Sequence, residues 1–250
     1  IFGLNTGTGV LFEPLLHLGT LAAVCIVFWK DVKNLVIHGF SLIVDACIYG
    51  CQWISCRAGH RPFRRRRLIN NAYRKFALLI IVTSIPTAVI GLLLKPIIDA
   101  ASSVLVIPGI CLVITAIVLL LVDGREGGHK KAKATTYKDA AVIGVAQGIA
   151  TLPGISRSGS TIAACLFVCV DRSFAVRYSF LASIPAIVGA NLLELGGIAG
   201  ETITPSLVVS YLIGMVVAGV VGYICIKVMI NIVKKSRFQY PCRSVSQGVV

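Results

Sequence analysis

The chain has 250 residues, 56% of them hydrophobic and 14% charged, with a mean hydropathy of +0.88. Soluble domains run at about 45–50% apolar and about 25% charged, so a soluble enzyme and a disordered chain are both excluded. Against that oil stand 24 Lys and Arg and 10 Asp and Glu, a formal charge of +14. A nucleic-acid module accounts for the charge but not for the oil. An integral membrane protein with basic loops on one side accounts for both.

Charged residues punctuate the apolar runs. Spans are predicted at about 10–29, 76–94, 104–122, 180–199 and 207–226, each near the roughly 20 residues that cross a bilayer. Pro86, Pro108 and Pro185 fall inside them, where neighbouring helices can satisfy the freed carbonyls. Residues 30–75 form a connector. Its stretch Asn34–Cys56 is apolar but diluted by His38, Asp45, Gln52, Gly39 and Gly50, and reads as interfacial or peripheral. The expected architecture is all-α: one integral membrane domain over 1–240 built as a polytopic helix bundle, followed by an atypical polar tail at 241–250.

Lys and Arg are distributed unevenly. Ten lie in the connector, five between Arg125 and Lys138, two at Arg172 and Arg177, and five from Lys227 onward. Lys95 stands alone in its loop, and Glu194–Pro205 has none. Rich and poor loops alternate, so the positive-inside rule puts the basic loops in the cytoplasm. The run Arg64–Arg67 fits a topology anchor on anionic lipid. No aromatic interleaving supports a nucleic-acid partner.

Residues 140–170 are apolar at both ends and polar in the middle. Ala140–Leu152 and Thr161–Val170 are too short to cross, and both outer ends meet basic loops, so the segment is expected to be a re-entrant helix–loop–helix hairpin. Its tip, Pro153–Ser160, suits an anion. Gly154 and Gly159 permit close backbone approach, and Ser156, Ser158 and Ser160 are N-cap residues for the second arm. A helix N-terminus offers partial positive charge and unpaired N–H donors. Arg157 adds a full charge and a fork that matches phosphate. Such an Arg should face a wet cavity or a ligand, the alternative being a structural pair with Glu13 or Glu194. Ser156, Ser158 and Thr161 are ligand-binding hydroxyls rather than nucleophiles, since no His or carboxylate lies in the tip to activate them.

Glu13 and His17 lie four apart in the first span, a spacing that suits an acid–base or metal pair and equally two polar residues bonding each other within a bundle. The nine cysteines have no CxxC pair and no zinc spacing. Cys165 and Cys169 read as packing partners on one helical face.

The run Gln147-Gly-Ile-Ala-Thr-Leu-Pro-Gly-Ile-Ser-Arg-Ser-Gly-Ser-Thr161 closely resembles the second signature of the undecaprenyl-diphosphate phosphatase (bacitracin-resistance protein) family. Phe12–Thr20, Phe28–Asp31, Ile85–Leu92 and Tyr178–Pro185 agree with it, and the likeness runs from about Ile1 to Phe238. It implies a multipass enzyme of the bacterial cell membrane, built from two inverted repeats that each carry a re-entrant hairpin. It further implies hydrolysis of a polyprenyl diphosphate lipid to the monophosphate, aided by a divalent cation, Mg2+ or Ca2+. Arg157 takes the catalytic role, Ser156, Ser158, Gly159, Thr161 and Gly154 bind the diphosphate, and Gln147, Glu13 and His17 line the site. The family's acidic first signature has no counterpart after Ile1, and its last apolar helix has none after Tyr240. The chain therefore reads as a fragment, expected to have little activity by itself. A transporter or flippase for an anionic lipid or solute is the alternative, since broken helices in inverted repeats also serve transport.

Overall fold

The computed structural model describes residues 12–57, 69, 71–102, 104, 106–123, 128–195 and 205–235. These form eight α-helices: α1 (Phe12–Val27), α2 (Trp29–Arg57), α3 (Ala72–Ser102), α4 (Val106–Asp123), α5 (Tyr137–Ile149), α6 (Arg157–Phe167), α7 (Arg172–Leu195) and α8 (Pro205–Lys235). Among the described residues the β-structure is confined to one isolated bridge, between Lys130 and Val170. The helical class follows from the sequence, because a bilayer leaves no water to satisfy an open sheet edge. Arg64–Arg67 and the tail 241–250 lie outside the described residues.

Four helices are long and apolar enough to cross a membrane: Trp29–Gln52 of α2, Ala72–Ile98 of α3, Arg172–Leu193 of α7 and Val208–Asn231 of α8. The apolar stretches of α1 and α4, Pro14–Val27 and Val106–Val122, are shorter. The chain is a multi-pass membrane protein. The polar residues and glycines that dilute Asn34–Cys56 do not interrupt it, and the segment is one continuous helix. Proline also acts differently by position. Pro86 and Pro185 sit within α3 and α7, whereas Pro108 falls in the first turn of α4, where no intrahelical N–H is lost.

The chain divides into two compact units. In the first, α1 packs along α8 through small residues. Gly19 lies so close to the Met215 carbonyl that a Cβ would collide with it, and a Cβ on Gly219 would come within 3.2 Å of Gly19 O. Ala23 and Val24 are buried beside this seam. Small residues let membrane helices approach closely enough for dispersion to hold them. Phe12 pairs with Tyr211 across it, and Phe28, just past α1, pairs with Phe180 of α7, each at 5.8 Å between ring centroids.

In the second unit α3 packs along α5, α5 on α6, and α6 on α4. Two threonines of α3 bond across to α5. Thr83 Oγ1 donates to the Ala140 carbonyl at 3.0 Å, and Thr87 Oγ1 shares its proton between Gly144 O at 3.0 Å and its own helix at Thr83 O. Both threonines are buried. In lipid such bonds contribute about 0.6–2 kcal/mol each and fix the register of the two helices.

Candidate functional site: a capped helix–loop–helix tip bearing Arg157

The polar-centred segment folds as two short helices, α5 of 13 residues and α6 of 11. At 1.5 Å per residue they are about 20 and 17 Å long, well short of a 30 Å hydrocarbon core. Their outer ends are tied together. Gly128 N donates to Val170 O at 3.1 Å, Lys130 N to Cys169 O at 3.2 Å, and Asp171 N to Lys130 O at 2.9 Å. Lys130 Nζ then reaches Asp139 Oδ2 at 3.2 Å, at the start of α5. The same Asp139 closes a capping box, accepting from Thr136 N at 2.9 Å while its own amide donates to Thr136 Oγ1 at 3.1 Å. A few residues thus clasp the entry of α5 to the exit of α6.

At the other end the chain turns over in Ala150–Ser156. Gly154 adopts φ +90°, in the left-handed region, and lies directly against the Pro108 carbonyl of α4. Only glycine meets both conditions. Ser156 N donates to Thr115 Oγ1 of α4 at 3.2 Å, and Thr115 is buried. The tip is therefore held on α4 from two sides.

Of the three candidate cap serines, Ser156 is the N-cap of α6. It has extended backbone (φ −68°, ψ 111°), and its Oγ accepts from Gly159 N at 3.1 Å. Helix α6 consequently starts four residues earlier than the apolar pattern implied, with Arg157 its first helical residue. The cap also explains Gly159: a Cβ there would approach Ser156 Oγ to 3.0 Å and Leu119 of α4 to 3.4 Å. Thr161 is buried, and its hydroxyl donates back to Arg157 O at 2.9 Å or Ser158 O at 3.1 Å. It secures the first turn of α6. Ser158 is half-buried on the same turn. Gln147 is fully buried in α5.

Arg157 is half-buried, and among the described residues no carboxylate pairs with it. A guanidinium partly withdrawn from water favours an anionic group beside it. It stands at the helix end where amides and dipole also favour one. Sequence reasoning found this residue because Arg is rare in so apolar a stretch. It missed Thr115, which lies in an apolar run and looked like filler. Thr115 shows its role only once α4 is seen beside the tip.

Glu13 and His17 both lie in α1, in the other unit, one turn apart; the side chain of Glu13 is outside the described residues, as is that of Glu194. Cys165 is buried in α6, but Cys169 lies beyond its end at φ +62°, so the two do not share a helical face as expected. Among the described residues no three of His, Cys, Asp and Glu come together. Nothing in them makes a cage for the divalent cation that the resemblance implies.

The family model described as bacitracin resistance protein BacA matches residues 1–242. The chain belongs to the BacA family. Three similar proteins carry the name undecaprenyl-diphosphatase. That of Methanosphaera stadtmanae is 39% identical over 92% of this chain and 79% of its own length. That of Desulforapulum autotrophicum is 40% identical over 95% and 80%. That of Treponema denticola is 37% identical over 92% and 77%. In this BacA chain the α5–α6 tip brings a capped helix N-terminus and Arg157 together.

Proposed function

We propose that this BacA-family protein is an undecaprenyl-diphosphate phosphatase, releasing inorganic phosphate and leaving undecaprenyl phosphate. Returning the lipid carrier in that form sustains peptidoglycan synthesis and confers bacitracin resistance. The observation that carries the reading is Arg157, half-buried at the Ser156-capped N-terminus of α6 and with no carboxylate partner among the described residues. The relatives' printed name favours a hydrolase over a transporter.

In this reading α5 and α6 form a re-entrant hairpin. Their lengths and clasped outer ends support it, because two arms shorter than the bilayer whose ends are tied must enter and leave on one face. An inverted repeat, with a second hairpin to match, belongs to the same proposal. The protein sits in the cell membrane with the basic loops cytoplasmic.

Water attacks the terminal phosphorus of the lipid diphosphate, and the bridging P–O bond breaks. Negative charge spreads over the phosphoryl oxygens during that step. Arg157 grips two of those oxygens and stabilises the charge, and the first-turn backbone of α6 around Ser158 and Gly159 adds its dipole. Ser156 is a positioning residue, its hydroxyl given to the Gly159 amide rather than to attack. Gly154 and Thr161 shape the turn, and Gln147 lines the α5 side. A divalent cation, Mg2+ or Ca2+, supplies neutralisation of diphosphate charge when bound. His17 and Glu13 on α1 complete the set for mutagenesis.

The test is phosphate release from undecaprenyl diphosphate by the full-length protein in vesicles, compared with its Arg157→Ala variant. Loss of turnover with retained fold supports the assignment. Unchanged turnover would overturn the role of Arg157, and export of intact diphosphate without phosphate release would restore the transporter.

A further inference from the structure

Helix α2 meets the length and hydropathy of a membrane span, yet its contacts describe something else. One narrow stripe carries Asp31, Asn34, His38, Ser41, Asp45 and Gln52, spaced by threes, fours and sevens and so on a single helical face. The opposite arc carries Val36, Phe40, Ile43 and Cys47, with Phe40 68% exposed. The stripe does not run into solvent unaccompanied; the first two turns of α3 reach it. Tyr73 Oη donates to Asp31 Oδ1 at 3.1 Å, and Arg74 pairs with Asp45 at 2.7 Å and donates to Ser41 Oγ at 3.2 Å. His38 stacks on Tyr73 at 5.9 Å and faces Asn71 at 3.5 Å.

The register of these contacts fixes how the helices meet. Tyr73 and Arg74 are consecutive, but Asp31 and Asp45 stand about 21 Å apart along α2. In two helices running side by side, contacts advance along both together. Here they run from Asp31 to Asp45 on α2 while staying within Asn71–Ala77 on α3, where Gly39 meets Ala77. Helix α2 crosses the N-terminal end of α3.

Since α3 spans the membrane from Ala72, its first turns lie at a membrane surface, and a helix that crosses them lies along that surface. We infer that α2 is an in-plane helix seated in the lipid interface. Its apolar arc rests in the acyl chains, its polar stripe is turned to the headgroup side and to α3, and the exposed Lys30 and Lys33 meet phospholipid phosphates. A second observation agrees independently. A crossing would put the basic flank Lys30–Lys33 and the flank from Arg57 through Arg67 to Lys75 on opposite faces of the membrane, against the positive-inside rule. In plane, both stay on one face. The inference rests on the chain being a membrane protein and not on its hydrolysing a diphosphate.

The experiment is a depth scan of the full-length protein in phosphatidylethanolamine–phosphatidylglycerol vesicles. Nitroxides are placed one at a time at native Cys47 and at Val36→Cys, Phe40→Cys, Asn34→Cys, Ser41→Cys and Gln52→Cys, with the other cysteines replaced. Variants are taken forward when they elute as the parent does. Collisions with oxygen report lipid, and collisions with a water-soluble nickel complex report water. The expected result is a period of 3.6 residues at constant shallow depth, with oxygen favoured at 36, 40 and 47 and nickel at 34, 41 and 52. Depth that rises to a maximum near residue 40 and falls again, alike on both arcs, makes α2 a span and overturns the inference. An apolar arc shielded from both collision partners means a second copy of the chain covers it, and overturns the lipid assignment.

Discussion

The hydroxyl of Ser156 accepts the amide proton of Gly159 at 3.1 Å, and this bond sets where α6 begins. By taking the third amide of the helix, it makes Arg157 the first helical residue rather than part of a loose loop. Ser156→Ala removes the cap at a cost of about 1 kcal/mol. Ser156→Asp keeps a capping oxygen but sets a negative charge beside the proposed phosphate site. The expected outcome is partial activity for the alanine variant and near-complete loss for the aspartate variant, with melting temperature ordered the other way. Equal activity in the two variants would separate the cap from the ligand site.

Arg157→Lys keeps the charge and discards the planar fork. A single ammonium cannot hold two phosphoryl oxygens in parallel, so turnover should fall about 10²–10³-fold, close to the alanine variant. Steady-state phosphate release measures it. A lysine variant within twofold of the parent would mean that charge alone is used.

Gly154→Ala tests the turn itself. At φ +90° a side chain costs about 1–3 kcal/mol, and the Cβ collides with the Pro108 carbonyl besides. Thermal unfolding in detergent should show clear destabilisation. Gly189, in α7, has open space around it, and Gly189→Ala should be neutral or slightly stabilising through helix propensity.

At the closed base, Lys130 and Asp139 differ in what they hold. Lys130→Ala loses one half-exposed ion pair, about 0.2–1 kcal/mol. Asp139→Ala loses that pair and the capping box of α5, a further 0.5–2 kcal/mol or so. Denaturation midpoints should rank parent, Lys130→Ala, Asp139→Ala in falling order. Equal midpoints for the two variants would show that the clasp, not the cap, dominates.

Much of this was legible in the residues. The short apolar arms around a Gly- and Ser-rich centre are a feature of order along the chain, and Arg157 stood out because its type is costly in that setting. What stayed hidden depends on partners far away in sequence. Nothing near residue 115 says that its hydroxyl holds the Ser156 amide, since Thr is ordinary in an apolar helix. Nothing near residue 161 says that its hydroxyl turns back into its own helix. At α2 the polar residues that dilute the apolar run already pointed to an interfacial segment, whereas hydropathy averaged over a window cannot tell a helix that is oily all round from one oily on a single broad arc. The stripe from Asp31 to Gln52 was in view throughout, but its meaning waited on where Tyr73 and Arg74 reach.

The glycine seam between α1 and α8 has a consequence for how the protein is made. Gly19 and Met215 touch across it, yet Met215 is synthesised close to two hundred residues later. At about 5–20 residues per second, α1 must wait in the membrane for about 10–40 s before its partner arrives. Throughout that interval a helix whose close-packing face is lined by small residues stands open to any other helix inserting nearby. The second unit, whose α3–α6 contacts are all nearer in sequence, can close first. Assembly of the first unit is therefore the late step and the one most exposed to mispairing.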